Sequence, residues 1–168
     1  MRILCSIFLI TILTQCRVEP EPPHSTSDLY SQIMDPNALV FDSTLSNALR
    51  PDPYGMKQYI LAYLKAGPNR SQDSITAAEL QQAHLANIMR MAEEEKLVLA
   101  GPFLDDGDVR GIYVFNTSSM EDARAWTNSD PAVQAGRLIM ELHPFYCTAV
   151  LPLINPLSKR VTRQNIAD

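Results

Sequence analysis

At 168 residues the chain has room for one ordinary domain with attachments, and not for two comfortable ones. Its 46% apolar and 20% charged residues sustain a globular core and exclude wholesale disorder, while a formal net charge of -5 leaves no basic stripe to bind nucleic acid. The three cysteines, Cys5, Cys16 and Cys147, form no Cys-x-x-Cys pair and no His/Cys cluster, so a structural zinc site has no ligand set.

Met1-Arg2 is a short positive start, and Ile3 to Leu13 is an apolar run broken only by Cys5, Ser6 and Thr11. The run falls short of the ~20 apolar residues that span a bilayer and fits the apolar centre of an export signal. Leu13-Thr14-Gln15-Cys16 resembles a bacterial lipobox, in which the cysteine is lipidated and becomes the mature N-terminus. Gln15 departs from that pattern, where Gly, Ala or Ser is usual. With an ordinary signal peptide or a core helix as the alternative, the expectation is a lipoprotein signal peptide over 1–15 and lipidation at Cys16. That places the protein in a bacterial cell envelope, facing periplasm or cell surface and bound to the membrane through its lipid anchor only; each buried acyl methylene contributes about 0.8 kcal/mol. Residues 16–55 read as a tether and a partly ordered arm. Arg17 to Ser27 is rich in proline and small polar residues, with Glu19 and Glu21 resembling acidic export signals. Apolar residues return from Asp28 to Gly55 between Asp35-Pro36 and Arg50-Pro51-Asp52-Pro53, enough for one short helix.

Residues 56–150 read as the folded domain. Lys57 to Lys65 has apolar side chains on both faces, the signature of a central strand. Thr76 and Glu79 form a capping box for a helix running to about Glu95, with Leu80, His84, Ile88 and Met91 as its inner stripe. Leu97 to Leu104 is a second strand broken at Gly101-Pro102, which belongs at a sheet edge or bulge because proline has no ladder donor. Asp105 to Asp108 makes an acidic turn without the ligand spacing of a calcium loop, and Val109 to Phe115 completes a hairpin. Ser118 and Glu121 form a second capping box for a helix through Asn128. Asp130-Pro131 restarts a short helix ending at Gly136, with aspartate at the N-cap and proline at the first helical position. A last strand runs from Leu138 to Tyr146 and on toward Val150. Residues 151–168, with Lys159, Arg160 and Arg163, read as a solvated C-terminal tail.

The order β-α-β-β-α-β predicts an α+β, ferredoxin-like fold with both helices on one sheet face. The other face then needs cover, for which Tyr59, Tyr63, Tyr113, Phe115 and Met140 are the candidates. A second copy is the simplest cover, giving a symmetric homodimer of the dimeric α/β-barrel type. Among candidates for chemistry, His84 stands on an apolar helix face, and an imidazole exchanges protons near neutral pH. Tyr59, Tyr113 and Trp126 are aromatic candidates for a pocket wall or the core. No Gly-x-Ser-x-Gly elbow or phosphate-cradling glycine loop is present.

His84, Gly101-Pro102, Gly111 and Asp130-Pro131, followed by Gly136, form an ordered set between Met56 and Tyr146 that resembles the YciI-like (YCII-related) family. The chain departs from many relatives in carrying Gln81-Gln82 where an arginine shortly precedes the histidine. The resemblance implies a His–Asp pair, His84 with Asp130, and places Gly101 and Pro102 at the substrate site, to which the residues themselves add Tyr59 and Tyr113 as candidates. It also implies a small-molecule enzyme of lyase, isomerase or dehydrochlorinase type that needs no cofactor and no metal. The alternative from the residues alone is a dimeric ligand-binding or interaction lipoprotein, in which His84 is a core residue and Asp130 a helix cap.

Overall fold

A computed structural model describes residues 26–164; the expected signal peptide, Cys16 and the start of the tether lie outside the described residues. The chain divides into two units, Met1–Phe41 and Asp42–Asp168. In the first, helix α1 (Thr26–Met34) is followed by a 3-10 turn, Pro36–Ala38, whose cap Asp35 accepts from the Asn37 amide at 2.9 Å. The second opens with α2 (Ser43–Leu49), capped by Asp42 and ended by Arg50 in the left-handed region. Two helices therefore stand where the composition suggested one. Asp35 and Asp42 each supply a carboxylate where free helical amides begin.

The rest of the second unit is the ferredoxin-like α+β fold. Strand β1 (Met56–Ala66) leads to α3 (Ser74–Glu93), β2 (Leu97–Pro102) and β3 (Val109–Phe115). Helices α4 (Met120–Asn128) and α5 (Pro131–Gln134) precede β4 (Leu138–Thr148). The antiparallel sheet has the order β2-β3-β1-β4, so β1 is central, as its two apolar faces require. Leu61 lies opposite Val114 on β3 and His143 on β4. β2 is an edge strand, which suits Pro102 at its end, but the ladder irregularity falls between Leu97 and Leu99 and not at Gly101.

Both capping boxes were misplaced. Asp73 caps α3, its carboxylate accepting from the Ile75 and Thr76 amides and from the Thr76 hydroxyl. An ionised acceptor three residues earlier outcompetes the threonine hydroxyl for the free amides. Ser119, one residue after the expected cap, accepts from the Asp122 amide and opens α4.

The sheet has two apolar sides. Toward the helices, Ile60, Ala62, Leu64, Tyr113 and Phe115 pack with Met91, Leu97 and Ala123, and Met140 lies against them. On the other side Tyr59, Val98 and Val114 form a second cluster with Leu61, Phe145 and Leu151. Tyr113, Phe115 and Met140 therefore do not face away from the helices as expected. Strand parity assigns them together with Ile60 and opposite to Tyr59. The segment after residue 150 is also more than a bare tail. It forms a 3-10 turn (Leu151–Leu153) and helix α6 (Ile154–Val161), and Asn155 donates to the Leu97 carbonyl at 2.7 Å. Leu151 thereby covers part of the second face with apolar surface that a solvated tail would leave in water.

Candidate active site

His84 lies midway along α3 on the stripe that faces the sheet. Asp130 is the N-cap of α5, with Pro131 at the first helical position. These two elements cross so that His84 Nδ1 and Asp130 Oδ2 stand 2.8 Å apart. Asp130 is fully buried and His84 nearly so. Three donors converge on the carboxylate. Its Oδ1 accepts from the Ala132 amide at 2.9 Å, and its Oδ2 accepts from Asn87 Nδ2 at 3.3 Å as well as from His84. Asn87 is oriented in turn by Arg90, whose Nη2 donates to Asn87 Oδ1 at 2.7 Å, so the asparagine presents its amide hydrogens to Asp130.

That arrangement fixes the imidazole tautomer. An ionised carboxylate only accepts, so Nδ1 carries a proton, and in the neutral imidazole the lone pair then lies on Nε2. Nε2 lies 3.3 Å from the Tyr113 hydroxyl, and the two rings stack with centroids 6.1 Å apart. Burial first, and then the charge of Asp130, push the Tyr113 hydroxyl far above the ordinary tyrosine value. Tyr113 therefore stays neutral and donates.

His84 and Tyr113 line a cavity of about 440 Å³ between α3 and the sheet. Leu64, Leu85, Ile88 and Leu138 give it apolar walls, Gly101, Pro102 and Gly111 form its β2–β3 side, and Gln81 and Arg110 supply polar groups. A Cβ on Gly111 would stand 2.5 Å from the Gly101 carbonyl oxygen and 3.0 Å from Pro102 Cα. Only glycine lets the two strands close there, which is the physical content of that position in the motif.

The structure thus brings His84, Asp130, Gly101, Pro102 and Tyr113 together. Tyr59 does not join them: it is buried on the other sheet face, and its hydroxyl donates to the Thr148 carbonyl at 3.0 Å. The one-residue alternation of a strand puts Tyr59 and Ile60 on opposite sides, and the histidine is on the side of Ile60. Trp126 packs edge-on to Phe115 within the helix-side core, and His143 lies edge-on to Tyr63 away from the cavity. Asn87 and Arg110 were missed. For Asn87 a signal existed, since a polar residue three positions after His84 shares its helix face. Arg110 gave none beyond its place beside Gly111.

Among the described residues no cluster of three or more His, Cys, Asp or Glu could hold a metal ion, and no helix is long and apolar enough to cross a membrane. No curated protein matches the chain. Among solved structures, it is similar to 5-chloro-2-hydroxyhydroquinone dehydrochlorinase (TftG) from Burkholderia phenoliruptrix AC1100, solved in complex with 2,5-dihydroxybenzoquinone. That likeness has 22% identity and a TM-score of 0.40, and covers 52% of this chain and 92% of that one. The YCII-related domain family matches residues 57–145, from the second residue of β1 into β4 and across the whole His84 cavity. With more than half of its length inside that match, the chain belongs to the YCII-related domain family.

Proposed function

We propose that the domain is a cofactor-independent acid/base enzyme of lyase or isomerase type, acting on a small organic molecule in the His84 cavity. The observation that carries this reading is the tautomer lock. Asp130 holds Nδ1–H at 2.8 Å, leaving the Nε2 lone pair beside a neutral tyrosine hydroxyl on a cavity wall. In the proposed reaction Nε2 takes a proton from a substrate carbon next to a carbonyl. For this Tyr113 first turns its hydroxyl from Nε2 to the carbonyl oxygen, where charge develops, and so frees the lone pair; at 3.3 Å its resting bond is long and costs little to exchange. The imidazolium, stabilised by Asp130, returns the proton to a neighbouring atom for isomerisation or to a departing group for elimination. The cavity of about 440 Å³ suits a ligand of ordinary metabolite size.

A second reading has its own observation: Asp130 also caps α5 through the Ala132 amide, so the pair could serve packing alone in a binding module. Mass spectrometry of a metabolite extract incubated with wild-type or His84→Ala protein separates the two. The enzyme reading expects a compound consumed by the wild type only. Matching profiles from two folded proteins would leave the binding module.

The same proposal includes a homodimer packed through the second sheet face, where Leu61, Tyr63 and Ile112 are half-buried and Ile139 is 49% exposed. Sedimentation at twice the chain mass is the expected result, and a monomer at tens of micromolar would sink it. It also includes a lipid anchor at Cys16 in a cell envelope. Acyl chains on that residue should appear in the mass of the membrane-extracted protein and vanish with Cys16→Ser.

A further inference from the structure

A second cavity borders the His84 cavity. A space of about 290 Å³ is lined by Arg70, Gln81, Arg110, Ala132, Arg137 and Leu138, and it shares Gln81, Arg110 and Leu138 with the first. Three of its six lining residues are arginines, drawn from separate parts of the chain: the β1–α3 loop, β3 and the approach to β4. Among the described residues none of the three has a carboxylate within ion-pair distance. The pairs that form are Lys65–Glu141, His84–Asp130, Arg90–Glu94, Lys96–Glu94 and His143–Glu141. The bonds that Arg70 and Arg137 do make go to neutral acceptors. Arg137 Nη1 donates to Gln72 Oε1 at 3.0 Å, and Arg70 Nη1 reaches the Arg137 carbonyl at 3.4 Å. In a chain with 19 acidic residues against 14 basic ones, a gathering of cations without acids is not what average composition provides.

The backbone holds this gathering in place. The Gly67 amide donates to the Arg137 carbonyl at 2.9 Å and the Asn69 amide to the Gly136 carbonyl at 3.0 Å, which pins the β1–α3 loop to the corner before β4. The approach is so close that a Cβ on Gly67 would stand 2.1 Å from the Gly136 oxygen. Like charges brought together repel, and the pinned backbone keeps the stems of Arg70 and Arg137 as neighbours. An anion relieves that repulsion, and guanidinium groups suit a planar oxyanion with paired donors.

From this we infer that the substrate of the His84 cavity is an organic acid. Its oxyanion, a carboxylate or phosphate, is held by Arg70, Arg110 and Arg137. Its less polar body lies along Leu64, Leu85, Ile88 and Leu138, with the reacting carbon at His84. The inference rests on the acid/base reading for what happens at His84, whereas the anion site itself is a claim about binding. Anchoring the charged end at the outer cavity would set which substrate atom meets Nε2, so the arginines are positioning and specificity residues.

The test is calorimetric titration of the full-length protein with benzoate, its neutral counterpart benzamide, and inorganic phosphate, at low and high salt. Wild type should bind benzoate at least about tenfold more tightly than benzamide, and added salt should weaken benzoate alone. The Arg70→Gln/Arg137→Gln double variant should lose benzoate affinity about tenfold or more. Arg110→Gln, at an exposed position on β3, should do the same and serves if the double variant fails to fold. Phosphate competing with benzoate would show that the site reads charge and not the ring. Equal affinity for benzoate and benzamide, unchanged benzoate affinity in the arginine variants, or no binding of either anion at millimolar concentration each overturns the inference. If turnover survives in His84→Gln while the arginine variants lose benzoate, the acid/base reading falls and the anion site stands.

Discussion

Replacing Asp130 with asparagine should leave the protein folded and lower its turnover by about 10²–10⁴-fold, the range by which positioned acid/base groups accelerate reactions. The argument is one of donors and acceptors. The Ala132 amide donates to Asp130 Oδ1, so the oxygen of the introduced amide must stay there to keep the α5 cap. Its nitrogen then takes the place of Oδ2 and points a donor at His84 Nδ1, 2.8 Å away in the wild type. The imidazole answers by moving its proton to Nε2, and the lone pair that faced Tyr113 and the cavity is gone. His84→Gln should fall by a similar factor, since it removes the same base directly. Because the two residues act as one unit, the double variant should be little worse than either single one. The rate of consumption of the substrate, measured under saturating conditions beside wild type, decides it. An Asp130→Asn protein keeping more than about a tenth of the wild-type turnover would show that the tautomer does not matter.

That variant also shows why part of the site was legible in the sequence and part was not. The helix, the hairpin and the Asp130-Pro131 restart are written in local patterns of period and capping, and the structure has all of them. That His84 faces inward is written in its spacing from Ile88 and Met91. Which side of the sheet a strand residue takes is a different matter. β1 is apolar on both faces, so nothing local tells Tyr59 from Ile60; the side is set by where α3 and α4 land. The same ambiguity hides from the sequence that Tyr113 and Phe115 face the helices. The caps differ from expectation by three residues at α3 and one at α4, because several hydroxyls and carboxylates compete near each helix start. Only geometry shows that Asp73 and Ser119 prevail. Arg70, Arg110 and Arg137 are far apart in sequence, and no local pattern announces that a glycine contact between two loops will gather them.

Asp130→Ala should be the most destabilising of these changes, by about 3–5 kcal/mol, the usual cost of removing one partner from a buried ion or hydrogen-bonded pair. The side chain is fully buried and accepts from three donors, so deletion abandons all three at once. The Ala132 amide loses its cap, which typically costs ~1 kcal/mol. His84 Nδ1–H and the Asn87 amide are left without an acceptor where water has little access, at about 1–3 kcal/mol for each unsatisfied group before relaxation. His84 can recover part of this by changing tautomer, but Asn87 cannot turn over without surrendering its bond from Arg90. The melting temperature should therefore drop by roughly 10–20 °C. Asp130→Asn keeps an oxygen for the cap and a partner for His84, giving up only the Asn87 bond, and should lose less. That ordering separates the two roles of one residue: the alanine variant measures what the carboxylate does for folding, and the asparagine variant what it does for the imidazole. If both variants melt alike and within a few degrees of wild type, the network around Asp130 carries no stability. A deficit in the asparagine variant's turnover would then be electrostatic in origin, acting at His84 alone.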